Sequence, residues 1–135
     1  MIVDIPGGAV IGCDDLGNSS HPAVILTGGL ATQRTVWPDS LCTALVDAGY
    51  RVIRFDNRDT GESTWSKAPS GADLLQMIQS GFGPNDQFAY TIDDLADDVV
   101  ALMDGLKIQR AQVVGMSLGG RIAQAAAMRH PQRTA

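Results

Sequence analysis

Basic residues, cysteines and long apolar runs are all scarce in this sequence, and each shortage removes a class of function. Ten Lys and Arg stand against fifteen Asp and Glu, a net charge of −5. The basic residues never cluster, so the chain carries no electrostatic footprint for nucleic acid or for an anionic membrane. Cys13 and Cys42 are the only cysteines. They lie far apart with no CxxC or Cys/His spacing, so neither a disulfide framework nor a zinc site is indicated and a reducing compartment fits. No apolar run approaches the ~18 residues of a membrane span, and the N-terminal "MIVDIPGGAVIG" lacks a basic segment followed by an apolar one. A cytoplasmic protein with no membrane or nucleic-acid partner is expected. No G-x-G-x-x-G follows a strand-like run, and no cofactor is expected.

What is present is an ordinary globular composition, 44% hydrophobic over 135 residues, enough for one core. "IVDI" (2–5) and "AVIGCD" (9–14) read as a hairpin across Pro6, Gly7 and Gly8. "AVILT" (23–27) is a continuous apolar run, the signature of a strand buried on both faces. In "WPDSLCTALVDAGY", Leu41, Leu45 and Val46 form a helical stripe with Pro38 in the first turn and Gly49 as the stop. "RVIRFD" (51–56) returns as a strand, which implies a right-handed βαβ crossover and a parallel sheet.

Residues 57–90 are irregular, with a short helical candidate at "ADLLQMIQS" (72–80), and such an excursion often shapes a pocket. From Thr91, a good N-cap, periodicity resumes: Ile92, Leu95, Ala96, Val99, Leu102, Met103 and Leu106 share one face. Asp93, Asp94, Asp97, Asp98 and Asp104 lie off it and read as a solvated face rather than a metal site. "AQVVG" (111–115) is a further buried strand, and "GGRIAQAAAMRH" (119–130) is a helix that ends before Pro131.

Between those last two elements stands "GMSLG". A strand that becomes a helix within two or three residues needs small side chains at the bend, which Gly115 and Gly119 supply around Ser117. The pattern matches G-x-S-x-G, in which the serine stands on a strained turn with its hydroxyl above the sheet. Backbone N–H groups at the start of the helix favour negative charge nearby, as acyl transfer requires. The plainer alternative is a tight turn with Ser117 as a helix N-cap.

With these residues the chain resembles the α/β-hydrolase family, from about residue 2 to its end, and is most similar to bacterial esterases of the anthracycline methyl esterase type. Three motifs carry the likeness in the family's order. "LTGGL" takes the place of the His-Gly-x loop, which implies Gly29 as a backbone oxyanion donor; Thr27 stands where histidine is frequent. "FDNRDTGES" resembles the D-x-R-G-x-G-x-S loop, with Asp59 where glycine is frequent, and Asp56 and Arg58 read as a charged pair bracing that turn. "GMSLGG" implies Ser117 as the nucleophile and the N–H of Leu118 as the second oxyanion donor. Trp37 and Trp65 read equally well as pocket lining and as packing. Haloalkane dehalogenases and epoxide hydrolases are disfavoured, because their elbows carry aspartate. Perhydrolysis and C–C bond hydrolysis use the same elbow and are not separated from ester hydrolysis by these residues.

The family order is Ser, then an acid, then His, yet only 18 residues follow Ser117. His21 precedes the strand 23–27 on the far edge. His130 ends the helix that Ser117 begins, well over ~15 Å away at helical rise. Residues 1–135 therefore read as an incomplete α/β-hydrolase domain, an N-terminal half with a mostly parallel sheet of about five strands and flanking helices. The expected function is hydrolysis of a small carboxylic ester or similar acyl compound, with the acid and histidine supplied from outside the chain and the chain alone nearly inactive. Strand 111–115 is expected to be an open apolar edge that takes a C-terminal half chain or self-associates. The alternative is a non-catalytic fragment that binds a ligand or a partner.

Overall fold

Gly7 and Gly8, both at positive φ, close the turn between strands β1 (Ile2–Ile5) and β2 (Ala9–Leu16), which pair antiparallel with Val3 opposite Ile11. The computed structural model describes residues 1–66 and 90–135; the helical candidate at 72–80 lies outside them. Strands β3 (Ala23–Thr27), β4 (Arg51–Phe55) and β5 (Ala111–Gly115) complete a five-stranded sheet in the order β1-β2-β4-β3-β5. The sheet is parallel across β4-β3-β5 and antiparallel where β2 meets β4. All five residues of β3 are buried, as its unbroken apolar run demands of a central strand covered on both faces.

Helix α1 (Asp39–Asp47) covers one face of the sheet, and α2 (Ile92–Gly105) and α3 (Leu118–Arg129) cover the other. On the larger face Ile25, Ile53 and Phe55 meet Leu95, Val99, Leu102 and Met103 of α2 and Ile122 of α3. On the smaller face Val24, Leu26 and Val52 meet α1. Here the buried residue is Cys42, with Leu45 and Val46 beside it. Leu41, expected in the apolar stripe, is exposed, because the helix presents its i, i+3, i+4 face one residue further round. Thr91 caps α2 with a reciprocal capping box: its hydroxyl accepts from Asp94 N–H and its own N–H donates to the Asp94 carboxylate. No helix among the described residues is long and apolar enough to cross a membrane.

Strand β5 pairs with β3 on its inner side. On its outer side Ala111 is engaged by a parallel bridge to Thr134, in which Ala111 N–H donates to Arg133 O and Ala135 N–H to Ala111 O, both at 3.0 Å. Among the described residues the rest of that edge is unpaired, and Val114 is 44% exposed.

Candidate active site

Parallel pairing of β3 and β5 brings their carboxyl ends together, and the last bond of that ladder runs from Met116 N–H to Thr27 O at 3.2 Å. The chain then turns into α3 within two residues. A β-carbon on Gly115 would fall on the Gly119 carbonyl, and one on Gly119 would fall on the carbonyls of Thr27 and Gly28. Small residues are thus dictated by backbone-to-backbone approach, as the sequence pattern implies.

Ser117 sits at the apex with φ 56 and ψ −119, a left-handed conformation that costs a residue with a side chain about 1–3 kcal/mol. It is exposed, and its side chain makes no cap hydrogen bond to α3. The N-cap alternative therefore has no bond to support it. Ser117→Gly is expected to relieve the strain at a smaller cost in chain entropy of about 0.5–1 kcal/mol. The unfolding free energy in urea should rise by about 1 kcal/mol, and a fall would show that the turn is unstrained.

Gly28 and Gly29 leave β3 directly beside this turn. A β-carbon built on Gly29 would lie 3.5 Å from Ser117 Cβ, and Leu118, half-buried, begins α3 next to the serine. Ser117, Gly29 and Leu118 are therefore neighbours in space. The N–H of Leu118 belongs to the first turn, where no helical acceptor exists. Among the described residues the Gly29 N–H donates to no backbone acceptor either. The Gly29 carbonyl accepts from Thr32 Oγ1 at 3.0 Å, and the Gly28 carbonyl accepts from Asn57 Nδ2 at 3.3 Å.

The loop after β4 differs from the expected arrangement. Asp56 does not pair with Arg58. It is fully buried and accepts from Arg34 N–H at 2.6 Å, from the Arg34 guanidinium, and from Glu62 N–H at 3.1 Å. Arg34 follows the Gly28-Gly29 loop in a short 3-10 turn (Arg34–Val36), so Asp56 ties that loop to its own. Burial works against the Arg34 charge, but its bonds to Glu62 and Asp56 outweigh that, and the guanidinium is held more firmly protonated than usual. Asp14 also bonds Arg34 and Arg54. Its burial is overcome by Arg54 and Arg34, which keep its carboxyl below the ordinary range.

Arg58 reaches instead to Asp98 of α2, in two bonds of 2.5 and 2.8 Å. Asp98 is buried, not solvated, because it lies three residues after Leu95 and four before Leu102, on the apolar face itself. Asp93 and Asp97 bind Arg129 of α3. No set of three His, Cys, Asp or Glu that could hold a metal is gathered among the described residues. Asp59, at φ 60, holds Ser66 and Tyr90, which is a use for a side chain where the family motif has glycine.

Neither histidine approaches the serine. His21 is exposed at the opposite end of β3, and His130 lies 2.7 Å from Asp97 beyond the last turn of α3, roughly 20 Å from Ser117 at helical rise. Trp37 packs on the α1 face, and Trp65 is 66% exposed with its indole N–H on Gly61 O. Both cysteines are unbonded and buried, and burial pushes the Cys13 thiol up to about 11, so it is a poor nucleophile. Sequence reasoning missed Arg34 and Asn57. Arg34 carries no local signal, whereas Asn57 lies inside a motif already singled out.

The profile of the α/β-hydrolase fold family matches residues 22–135. Rhodomycin D methylesterase of Streptomyces peucetius is 37% identical over 112 residues, covering 83% of this chain and 32% of the relative. The crystal structure of the enol-lactonase from Burkholderia xenovorans LB400 superposes with a TM-score of 0.77 at 30% identity, over 99% of this chain and 44% of that one. That of epoxide hydrolase A from Mycobacterium thermoresistibile also gives 0.77, at 27% identity, over 100% of this chain and 36% of that one. The chain spans about a third of the length of the curated relatives it matches. On the family match over most of its length and the relatives' identity and superposition, this chain belongs to the α/β-hydrolase family.

Proposed function

We propose that this chain carries the nucleophile and the oxyanion donors of a serine hydrolase acting on carboxylic esters or similar acyl compounds. The observation that carries the reading is Ser117, held exposed in a left-handed conformation with no cap hydrogen bond from its side chain to α3. In the proposed reaction Ser117 Oγ adds to the acyl carbon as a base takes its proton. The carbonyl π pair moves onto oxygen, where the N–H groups of Gly29 and Leu118 receive it. Collapse expels the alcohol, which takes the proton back from the base, and water then releases the acid by the same steps. Fold likeness alone does not choose the chemistry, since an epoxide hydrolase superposes as well as an enol-lactonase. Serine rather than aspartate at the elbow favours acyl transfer.

The base is proposed to come from outside these residues, because both histidines are remote or already occupied. Residues 1–135 then form an incomplete domain, and the unpaired edge of β5 is where a C-terminal half or a second copy would add a strand. The chain alone should turn over p-nitrophenyl acetate barely above background and should gain activity with a separately expressed C-terminal half. A fluorophosphonate probe should label Ser117 slowly, and imidazole in solution should accelerate the labelling by acting as the missing base. Fast Ser117-dependent turnover by the chain alone would refute the external base. No labelling even with imidazole would refute the nucleophile and leave a ligand- or partner-binding fragment.

A further inference from the structure

We infer that Asn57 is a positioning residue for the oxyanion donor, aiming the Gly29 N–H at the space above Ser117 by holding the other end of the same peptide unit. The inference rests on the proposed role of Gly29. The peptide joining Gly28 and Gly29 is planar and trans, so its carbonyl oxygen and its N–H point in opposite directions. Whatever fixes the Gly28 carbonyl therefore fixes the direction of the Gly29 N–H. The side chain bonded to that carbonyl is Asn57, whose Nδ2 donates to it at 3.3 Å. Its Oδ1 accepts from the buried hydroxyl of Thr27 at 3.4 Å, which orients the amide.

Asn57 is itself buried, 6% exposed, and its own position is set by β4, which runs parallel to β3 with Phe55 opposite Thr27. The following peptide is pinned in the same sense, because Thr32 donates through Oγ1 to the Gly29 carbonyl. Glycine at 28 and 29 gives this segment two residues of unusual backbone freedom. The Gly28–Gly29 unit could rotate its carbonyl toward the serine and present a lone pair where an oxyanion must be stabilised. Asn57 opposes that rotation. A donor is required at this point, and a carboxylate of the same shape would repel the carbonyl.

The test follows from that distinction. Asn57→Asp keeps the size of the side chain and the acceptor for Thr27, but replaces the donor facing Gly28 O with a lone pair. In the full 135-residue chain the Gly29 amide and Gly28 carbonyl resonances should move, while the methyl resonances of Val24 and Leu26 stay in place. Imidazole-assisted fluorophosphonate labelling of Ser117 should slow roughly 10- to 100-fold, the penalty for a misaimed reacting geometry. If Asn57→Asp does not fold, Asn57→Ser gives the same resonance readout with no buried charge. Unmoved Gly28 and Gly29 resonances, or labelling at the parent rate, would overturn the inference. A parent chain that never labels at Ser117 would refute the nucleophile instead, and the resonances would still decide the role of Asn57.

Discussion

Asp56→Ala is expected to lower the free energy of unfolding by about 3–5 kcal/mol, the scale on which losing one partner of a buried ion pair destabilises a protein. The carboxylate is fully buried and is shared by three donors. Its removal leaves the N–H groups of Arg34 and Glu62 without acceptors and the Arg34 guanidinium with only its more solvated partners, Asp14 and Glu62. Asp56→Asn should also be costly although it is nearly isosteric, because its NH2 group must face one of three donors. The control is Asp39→Ala. Asp39 bridges Arg54 from a side chain that is 87% exposed, where ion pairs contribute little. Urea unfolding of the three variants separates these cases. A loss below about 1 kcal/mol for Asp56→Ala would mean that water replaces the carboxylate without penalty.

That hub marks the boundary of what the sequence discloses. Strand and helix positions follow from local periodicity, and every strand outside residues 67–89 stands within two residues of where its apolar run places it. Ser117, Gly29 and Leu118 become neighbours because a parallel β3-β5 pair brings two turns to one edge, and G-x-S-x-G is recognisable in sequence because backbone crowding restricts residue type locally. Partner choice among charged side chains has no such local signature. Arg34 meets Asp14 and Asp56 because β4 inserts between β2 and β3 in the sheet order, bringing residues 20 and 22 positions away to one guanidinium. Reading Asp56 with Arg58 favours nearness along the chain, but Asp56 is taken by Arg34 and Arg58 by Asp98, partners set by how the sheet and α2 pack. Asp98 was legible in principle, since its spacing from Leu95 and Leu102 places it on the buried stripe of α2. An acidic residue there requires a partner, and Arg58 is that partner.

Gly119→Ala is expected to cost about 3 kcal/mol or more, the upper end for overpacking, while Gly120→Ala, one residue on, should stabilise by about 0.5–1 kcal/mol. The contrast isolates backbone approach from helix propensity, since both glycines lie in the first turn of α3. A β-carbon on Gly119 would meet the Gly28 carbonyl at 2.7 Å and the Thr27 carbonyl closer still. Neither is a flexible side-chain end, so the helix must lift from β3. At Gly120 the nearest atom to such a carbon is Gly115 O at 3.5 Å, ordinary contact, and the alanine only stiffens the helix. Lifting α3 also carries Ser117 and the Leu118 N–H away from Gly29. Gly119→Ala should therefore lose imidazole-assisted labelling of Ser117 even under conditions where circular dichroism shows it folded. Gly120→Ala should retain labelling within about threefold, far less than the penalty for misplaced reacting groups. Equal stability for the two variants would show that the elbow is roomier than its backbone geometry indicates. Normal labelling by folded Gly119→Ala would show that the serine acts without the donors proposed beside it.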